Sequence, residues 1–331
     1  MTGFGSTRRA VLGLAAGAAG LVFRAPRVRA EDVSGTLNVS TFKQTSYLAG
    51  YYLERFAPPG LKINIVETKS NGDAVDALAT GNTDVGYMGA IACAIAASRG
   101  RPIRAVASAG SKTTRLMVRK DSPYKTVADL KGKTIAIAKL TNQDIIFREL
   151  LKEAGLNPKT DVDYILVPTE SQAEALANKT VEATICAEPP GSILLLNGIG
   201  RELVSTDKLN NTPVGNPGVL VALSTETITK RPALAQAFVT MHAKTTVWMR
   251  HNVDQLVKDF SKMSRQKEDV IRLAMSNTAH HYDMNEDYLR HVEVLNDDLI
   301  EAGYLNAGYH IRDAFDTRFL PAARASAGEV V

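Results

Sequence analysis

The chain has 331 residues, with 39 Lys and Arg against 35 Asp and Glu. Five of the basic residues and none of the acids fall in the first thirty positions, so the remainder carries one net negative charge. That leaves no basic field for nucleic acid and enough chain for two lobes of ordinary size.

The N-terminal segment Ser6-Thr7-Arg8-Arg9-Ala10-Val11-Leu12 has a basic pair followed by an apolar run that ends at Phe23. It reads as a twin-arginine export signal, with a small-residue cleavage site at Val28-Arg29-Ala30. The run is shorter than the roughly 20 apolar residues of an ordinary span. The expectation is a soluble mature protein in a bacterial periplasm, cleaved after Ala30 and exported folded.

Leu37–Ser40 reads as a strand, and Tyr47–Phe56 as a helix with Leu48, Tyr51, Tyr52 and Phe56 on one side. Pro58-Pro59-Gly60 stops that helix. Strand Ile63–Glu67, helix Asp73–Thr80, strand Asp84–Met88, helix Ile91–Arg99 and strand Ile103–Ala109 follow. The order then repeats about 98 residues later. Strand Thr134–Ala138, a polar loop, a helix, strand Asp163–Val167, helix Gln172–Asn178 and strand Val181–Cys186 form the second copy. Ala-Leu-Ala stands at 77–79 and again at 175–177, and an acid opens the next strand in each copy, Asp84 and Glu182.

Strands alternating with helices predict an α/β fold of two lobes, each a mostly parallel sheet flanked by helices. Strand-like Arg115–Arg119 and Gly218–Leu223 flank the second copy. Lobe two is therefore expected as an insertion at 121–221, with lobe one at 31–120 plus 222–331 and two hinge crossings. Helices at Pro232–His251, Val253–Met263, Lys267–Met275 and Asn285–Ala302 are expected to complete lobe one and strap the lobes together. Cys93 and Cys186 fall in different lobes and read as two separate small buried residues.

In a parallel sheet the loops after the strands face the ligand crevice. In lobe one these are Thr41–Ser46, Ser70–Asp73 and Gly89-Ala90. In lobe two they are Lys139–Gln143, Thr169–Gln172 and Ala187–Pro189. Each precedes a helix, whose free N–H groups attract anions. Ser46, Asn71, Thr141 and Ser171 are candidate caps. Phe42, Tyr47 and Tyr87 are candidates either for the pocket wall or for the core. Lys43 and Lys139 hold nearly matching loop positions and are candidates either for facing an anion or for standing in solvent. Glu188, just before Pro189, either stabilises the helix start or accepts a ligand hydrogen bond; both readings stand.

Catalytic patterns are absent: there is no G-x-S-x-G, no H-E-x-x-H and no phosphate-binding glycine loop. All six histidines lie in the C-terminal part. The adjacent pair His280-His281 lacks the i, i+4 spacing of a helical chelate. Neither metal nor cofactor is expected.

Three segments carry a resemblance. Tyr124–Thr134, Ala77–Gly86 and Thr180–Pro189 together resemble periplasmic solute-binding proteins for nitrate, alkanesulfonates, taurine and thiamine precursors, over nearly all of 33–260. The resemblance implies a type II binding protein that is no enzyme and a monomer. Its partners would be a small-molecule ligand and the membrane permease and ATPase of an ABC importer. It also implies ligand contacts from Phe42, Lys43, Gln44 and Ser46, from Asn71 and Gly72, and from Gly89 and Ala90. In lobe two the implied contacts are Thr141, Asn142, Gln143 and Glu188. Where sulfonate binders often show Gly-Ser, this chain has Lys139-Leu140-Thr141-Asn142, so the resemblance leaves the ligand open. A small organic anion or zwitterion is the first expectation; a heteroaromatic thiamine precursor, or a periplasmic sensor role, is the alternative. A pyrimidine synthase of the same fold uses a cysteine-rich iron site, for which two separated cysteines are a poor match.

Overall fold

A computed structural model describes residue 1 and residues 33–138, 141–212 and 217–328. The expected export signal, its cleavage site and Lys139 lie outside the described residues. Among the described residues eleven strands form two sheets. The first sheet contains β1 (Gly35–Thr41), β2 (Leu61–Glu67), β3 (Val85–Gly89) and β4 (Ile103–Ser111). The second contains β5 (Arg115–Arg119), β6 (Thr134–Ile137), β7 (Asp163–Leu166), β8 (Ala183–Cys186) and β9 (Gly200–Val204). The chain then returns to the first sheet with β10 (Val219–Ser224) and β11 (Ala279–His280). The orders are β11-β4-β10-β3-β1-β2 and β7-β6-β8-β5-β9.

Each sheet has the same parallel centre. Val39 of β1 lies opposite Ile65 of β2 and Val85 of β3. Ile135 of β6 lies opposite Tyr164 of β7 and Ala183 of β8. The repeated acids explain themselves here. Asp84 accepts from the Asn38 N–H at 2.8 Å, and Glu182 accepts from the Thr134 N–H at 3.0 Å. Each carboxylate anchors the start of its neighbouring parallel strand.

In each sheet the strand beside the parallel centre, β10 or β5, runs antiparallel to its two neighbours. Arg115–Arg119 therefore belongs to the second sheet, and Val219–Val221 to the first. The expected lobe limits at 121 and 221 move to the crossings, one at 112–114 and one between β9 and β10. Periodicity identifies a strand but not the sheet that accepts it, which is why the limits were misplaced.

The expected helix Tyr47–Phe56 is broken into a 3-10 turn at Thr45–Tyr47, a helix at Ala49–Tyr52 and a second 3-10 turn at Leu53–Phe56. The Thr41 hydroxyl donates to the Tyr47 carbonyl at 2.9 Å. Gly50 lies against the same side chain, where a Cβ would stand 2.8 Å from Thr41 Oγ1.

The C-terminal helices Pro232–His251, Val253–Ser264, Glu268–Ser276 and Glu286–Glu301 form as expected, and Leu320–Ala327 adds a further one. The end of Glu286–Glu301 reaches the second lobe. Tyr304 donates to Asp144 at 2.6 Å, and Lys152 pairs with Glu301 at 3.0 Å. Among the described residues no helix is long and apolar enough to cross a membrane. Cys93 and Cys186 are both buried and free.

Candidate functional site

A cavity of about 560 Å³ opens between the lobes at the carboxyl ends of the parallel strands. The loops of the two copies meet there in matching pairs. Phe42, Gln44, Ser46 and Tyr47 follow β1, as Thr141, Asn142 and Gln143 follow β6. Lys69 to Gly72 follow β2, as Val167 to Glu170 follow β7. Gly89 ends β3, and Ala187 follows β8. The crossings add Thr113 and Gly218. Gly218 has φ +48°, and a Cβ there would stand 2.1 Å from the Gly110 carbonyl oxygen, so only glycine lets the second crossing pass β4 so closely.

Nine of the twelve expected contact residues line this cavity: Phe42, Gln44, Ser46, Asn71, Gly72, Gly89, Thr141, Asn142 and Gln143. Lys43, Ala90 and Glu188 do not. Lys43 pairs with Glu67 at 2.9 Å on an exposed surface. Ala90 is 3% exposed, and its N–H donates to the Gly218 carbonyl at 3.0 Å. Glu188 is fully buried and ion-paired with Arg115, and it accepts from the Ser192 N–H at 3.1 Å and from Asn277 at 3.2 Å. Burial pushes its carboxyl up from the ordinary range, while Arg115 and Ser192 pull it back. Of the two readings of Glu188, the helix-side structural one is what the contacts support. Tyr87 is core, with its hydroxyl 2.9 Å from His242.

Of the four candidate caps, Thr141 alone caps a helix with its side chain. Ser70, not Asn71, caps Asn71–Ala79 by accepting from the Asp73 N–H. Asn71 instead accepts from the Gly89 N–H at 2.9 Å and from the Tyr47 hydroxyl at 3.4 Å, tying three loops together. Thr141 does cap Asn142–Glu153, accepting from the Asp144 N–H at 3.3 Å. Ser46 sits within the first 3-10 turn, and Ser171 makes no side-chain cap.

Two helices, Asn71–Ala79 and Asn142–Glu153, thus start at the cavity, one from each lobe. Their first N–H groups have no partner inside the helix and favour an anion. The Asp144 carboxylate in the second helix is held by Arg148 at 2.8 Å and by Tyr304, which directs its charge into a closed pair. Two charged side chains line the cavity among the described residues, Lys69 and Glu170, and both are exposed. Burial raises the Tyr47 phenol well above its ordinary value, so it stays neutral and able to donate. Among the described residues no group of His, Cys, Asp or Glu is placed to hold a metal ion.

Lys69 and the apolar shelf Leu166, Val167 and Pro168 were not singled out by sequence reasoning. The parallel-sheet rule contained the signal, since both segments directly follow strands. Leu166 reads as strand interior by alternation, yet it is 55% exposed at the cavity.

Residues 36–258 match the model of the NMT1-like family. The chain belongs to the NMT1-like family. A relative from Bacillus subtilis (strain 168), provisionally named an aliphatic sulfonates-binding protein, is 23% identical over 265 residues, 80% of this chain and 75% of the relative. The alkanesulfonate-binding protein SsuA from Xanthomonas axonopodis pv. citri, solved bound to MOPS, superposes with a TM-score of 0.75 at 20% identity, over 86% of this chain and 99% of that one. The periplasmic nitrate-binding protein NrtA from Synechocystis PCC 6803 superposes with a TM-score of 0.72 at 16% identity, over 89% of each chain. These likenesses show the α/β fold that the NMT1-like chain shares with them.

Proposed function

We propose that this NMT1-like protein is the substrate-binding component of an ABC import system, capturing a small organic anion or zwitterion between its lobes. The observation that carries the reading is the cavity itself: corresponding loops of two similar lobes meet around one space. The sulfonate- and nitrate-binding names of its relatives support it, as does the family match. Ligand contacts made with both lobes at once drive closure, and the two crossing segments absorb the motion. Gln44 and Ser46 on one side and Thr141 to Gln143 on the other supply neutral hydrogen-bond partners, and the helix starts supply the positive potential. Export by the twin-arginine segment, a periplasmic site of action, monomeric behaviour and docking to a membrane permease with its ATPase belong to the same reading. No cofactor or catalytic step enters it.

Thermal unfolding against alkanesulfonates, taurine, nitrate, aromatic carboxylates, pyrimidines and flavins tests the reading. A ligand at 100 times its Kd adds about 2.7 kcal/mol, which is readily seen as a rise in Tm. A clear rise with one class is expected. A folded protein that responds to none of them, and carries no small molecule through purification, would count against capture.

A further inference from the structure

The cavity has a composition that its size makes informative. A water's share of liquid volume is about 30 Å³, so about 560 Å³ corresponds to on the order of twenty waters. Nitrate or taurine would leave most of that space wet. Beside the polar loops, part of the wall is apolar and does not suit water. Phe42 and Tyr47 present two rings with centroids 4.5 Å apart and planes inclined at 57°. Ile137, Leu166, Val167 and Pro168 line the other lobe's side. An apolar shelf in the second lobe and a pair of rings in the first suit a flat apolar body that lies between them.

A second observation specifies one polar contact. Asn142 is 9% exposed, it lines the cavity, and its carboxamide oxygen has no hydrogen-bond partner among the described residues. A buried acceptor left unpaired is costly, and a ligand that brings an N–H or O–H to it removes that cost. Charge sets the remaining limit. Two helix starts and Lys69 favour a negative group, while Glu170 at the same cavity opposes a second one.

We propose that the cavity selects an aromatic monoanion carrying a hydrogen-bond donor that pairs with Asn142. The inference rests on the capture reading above and names the ligand class of that site.

Isothermal titration of the purified protein with 4-hydroxybenzoate, 4-methoxybenzoate, hexanoate, taurine and nitrate tests it. The methoxy compound keeps the ring, the charge and an acceptor but has no donor. The hydroxy acid is expected to bind roughly tenfold tighter than the methoxy acid, and both to bind tighter than hexanoate, taurine and nitrate. In Asn142→Ala the difference between hydroxy and methoxy acids is expected to vanish, while both still bind tighter than nitrate. Phe42→Ala is expected to weaken both aromatic acids by roughly tenfold or more. The ligand comparison on the unaltered protein stands even where a variant folds poorly. Taurine, nitrate or hexanoate binding as tightly as the hydroxy acid would overturn this inference and leave capture intact. Equal binding of the hydroxy and methoxy acids would overturn the role of Asn142. Absence of binding by every compound to the folded protein would overturn the inference, while the wider panel above decides capture separately.

Discussion

Replacing Glu188 by alanine removes the fully buried one of the two acids that hold Arg115, a guanidinium that is itself 4% exposed, and leaves it Glu202. Breaking a buried pair by removing one partner costs about 3–5 kcal/mol, and urea unfolding of Glu188→Ala is expected to show a loss of that order. Thr141→Ala removes a cap worth about 1 kcal/mol and a hydroxyl at the cavity, so its larger effect is expected on ligand affinity. Similar losses of stability in both variants would contradict these assignments. The distinction was not legible in the sequence. Both residues follow strands and precede helices, and only the position of Arg115 on β5 decides that Glu188 turns away from the cavity. The pair Ser70-Asn71 shows the same limit one residue apart. Either suits a cap, and the carboxamide goes to Gly89 because β3 ends within its reach.

Short contacts also decide the fate of whole elements. A glycine in a helix is ordinarily improved by alanine, but in the helix Ala49–Tyr52 a Cβ at Gly50 would meet Thr41 at 2.8 Å. Gly50→Ala is expected to destabilise by about 1–3 kcal/mol, measured by thermal unfolding, in place of the usual gain. The apolar pattern of Tyr47–Phe56 suggested one continuous helix because periodicity carries no record of what lies across from it. The strands were read more securely, since β1, β2, β3, β6 and β7 alternate or run apolar between clear stops.

Strand β4 brings together three histidines that its own sequence does not contain. The Ser108 carbonyl can only accept, so His242 donates to it through Nε2 at 2.7 Å and accepts from Tyr87 at Nδ1. Ser108 Oγ donates to the Asp283 carbonyl and so accepts from His281 Nδ1, leaving His281 Nε2 to accept from Ser111. Both networks require neutral rings. Burial lowers His242 and His280 to about 4 and His281 to about 3, with Arg250 adding to the shift of the last two. Folded values below the ordinary 6.5 mean that the unfolded chain takes up protons first as pH falls. Stability is therefore expected to be full above about pH 6.5 and to drain between about pH 6.5 and 4, at up to about 1.4 kcal/mol per unit for each ring. Urea unfolding at pH 7.5 and pH 5 checks this; equal midpoints would refute it.

At the scale of the molecule, a two-residue segment before β11 touches both lobes. Thr278 is 2.7 Å from the Thr45 hydroxyl in the first lobe. Asn277 bonds Glu188 and Asn210, and Asn210 in turn accepts from the Thr114 N–H and donates to its carbonyl, clipping one crossing to the other. None of these four residues, Asn277, Thr278, Asn210 and Thr114, lines the cavity. Asn277→Ala with Thr278→Val is expected to lower ligand affinity by a few-fold, by reducing the share of molecules with the lobes together. Small-angle scattering should show a larger radius without ligand; unchanged scattering and affinity would remove the segment from the hinge. The two-lobed plan itself was legible, because the Ala-Leu-Ala triplets and their following acids are written twice. The exchange of strands was not, since pairing between β10 and β3 joins residues 130 to 138 positions apart.

That exchange has a consequence during synthesis. All five strands of the second sheet lie between Arg115 and Val204. The first sheet lacks a middle strand until β10 has been made, and β10 follows every strand of the second. A nascent chain emerging N-terminus first therefore completes its later lobe before its earlier one. Halted after Asn211, it would hold a protease-resistant second sheet, with β3 and β4 still waiting for the strand that fits between them.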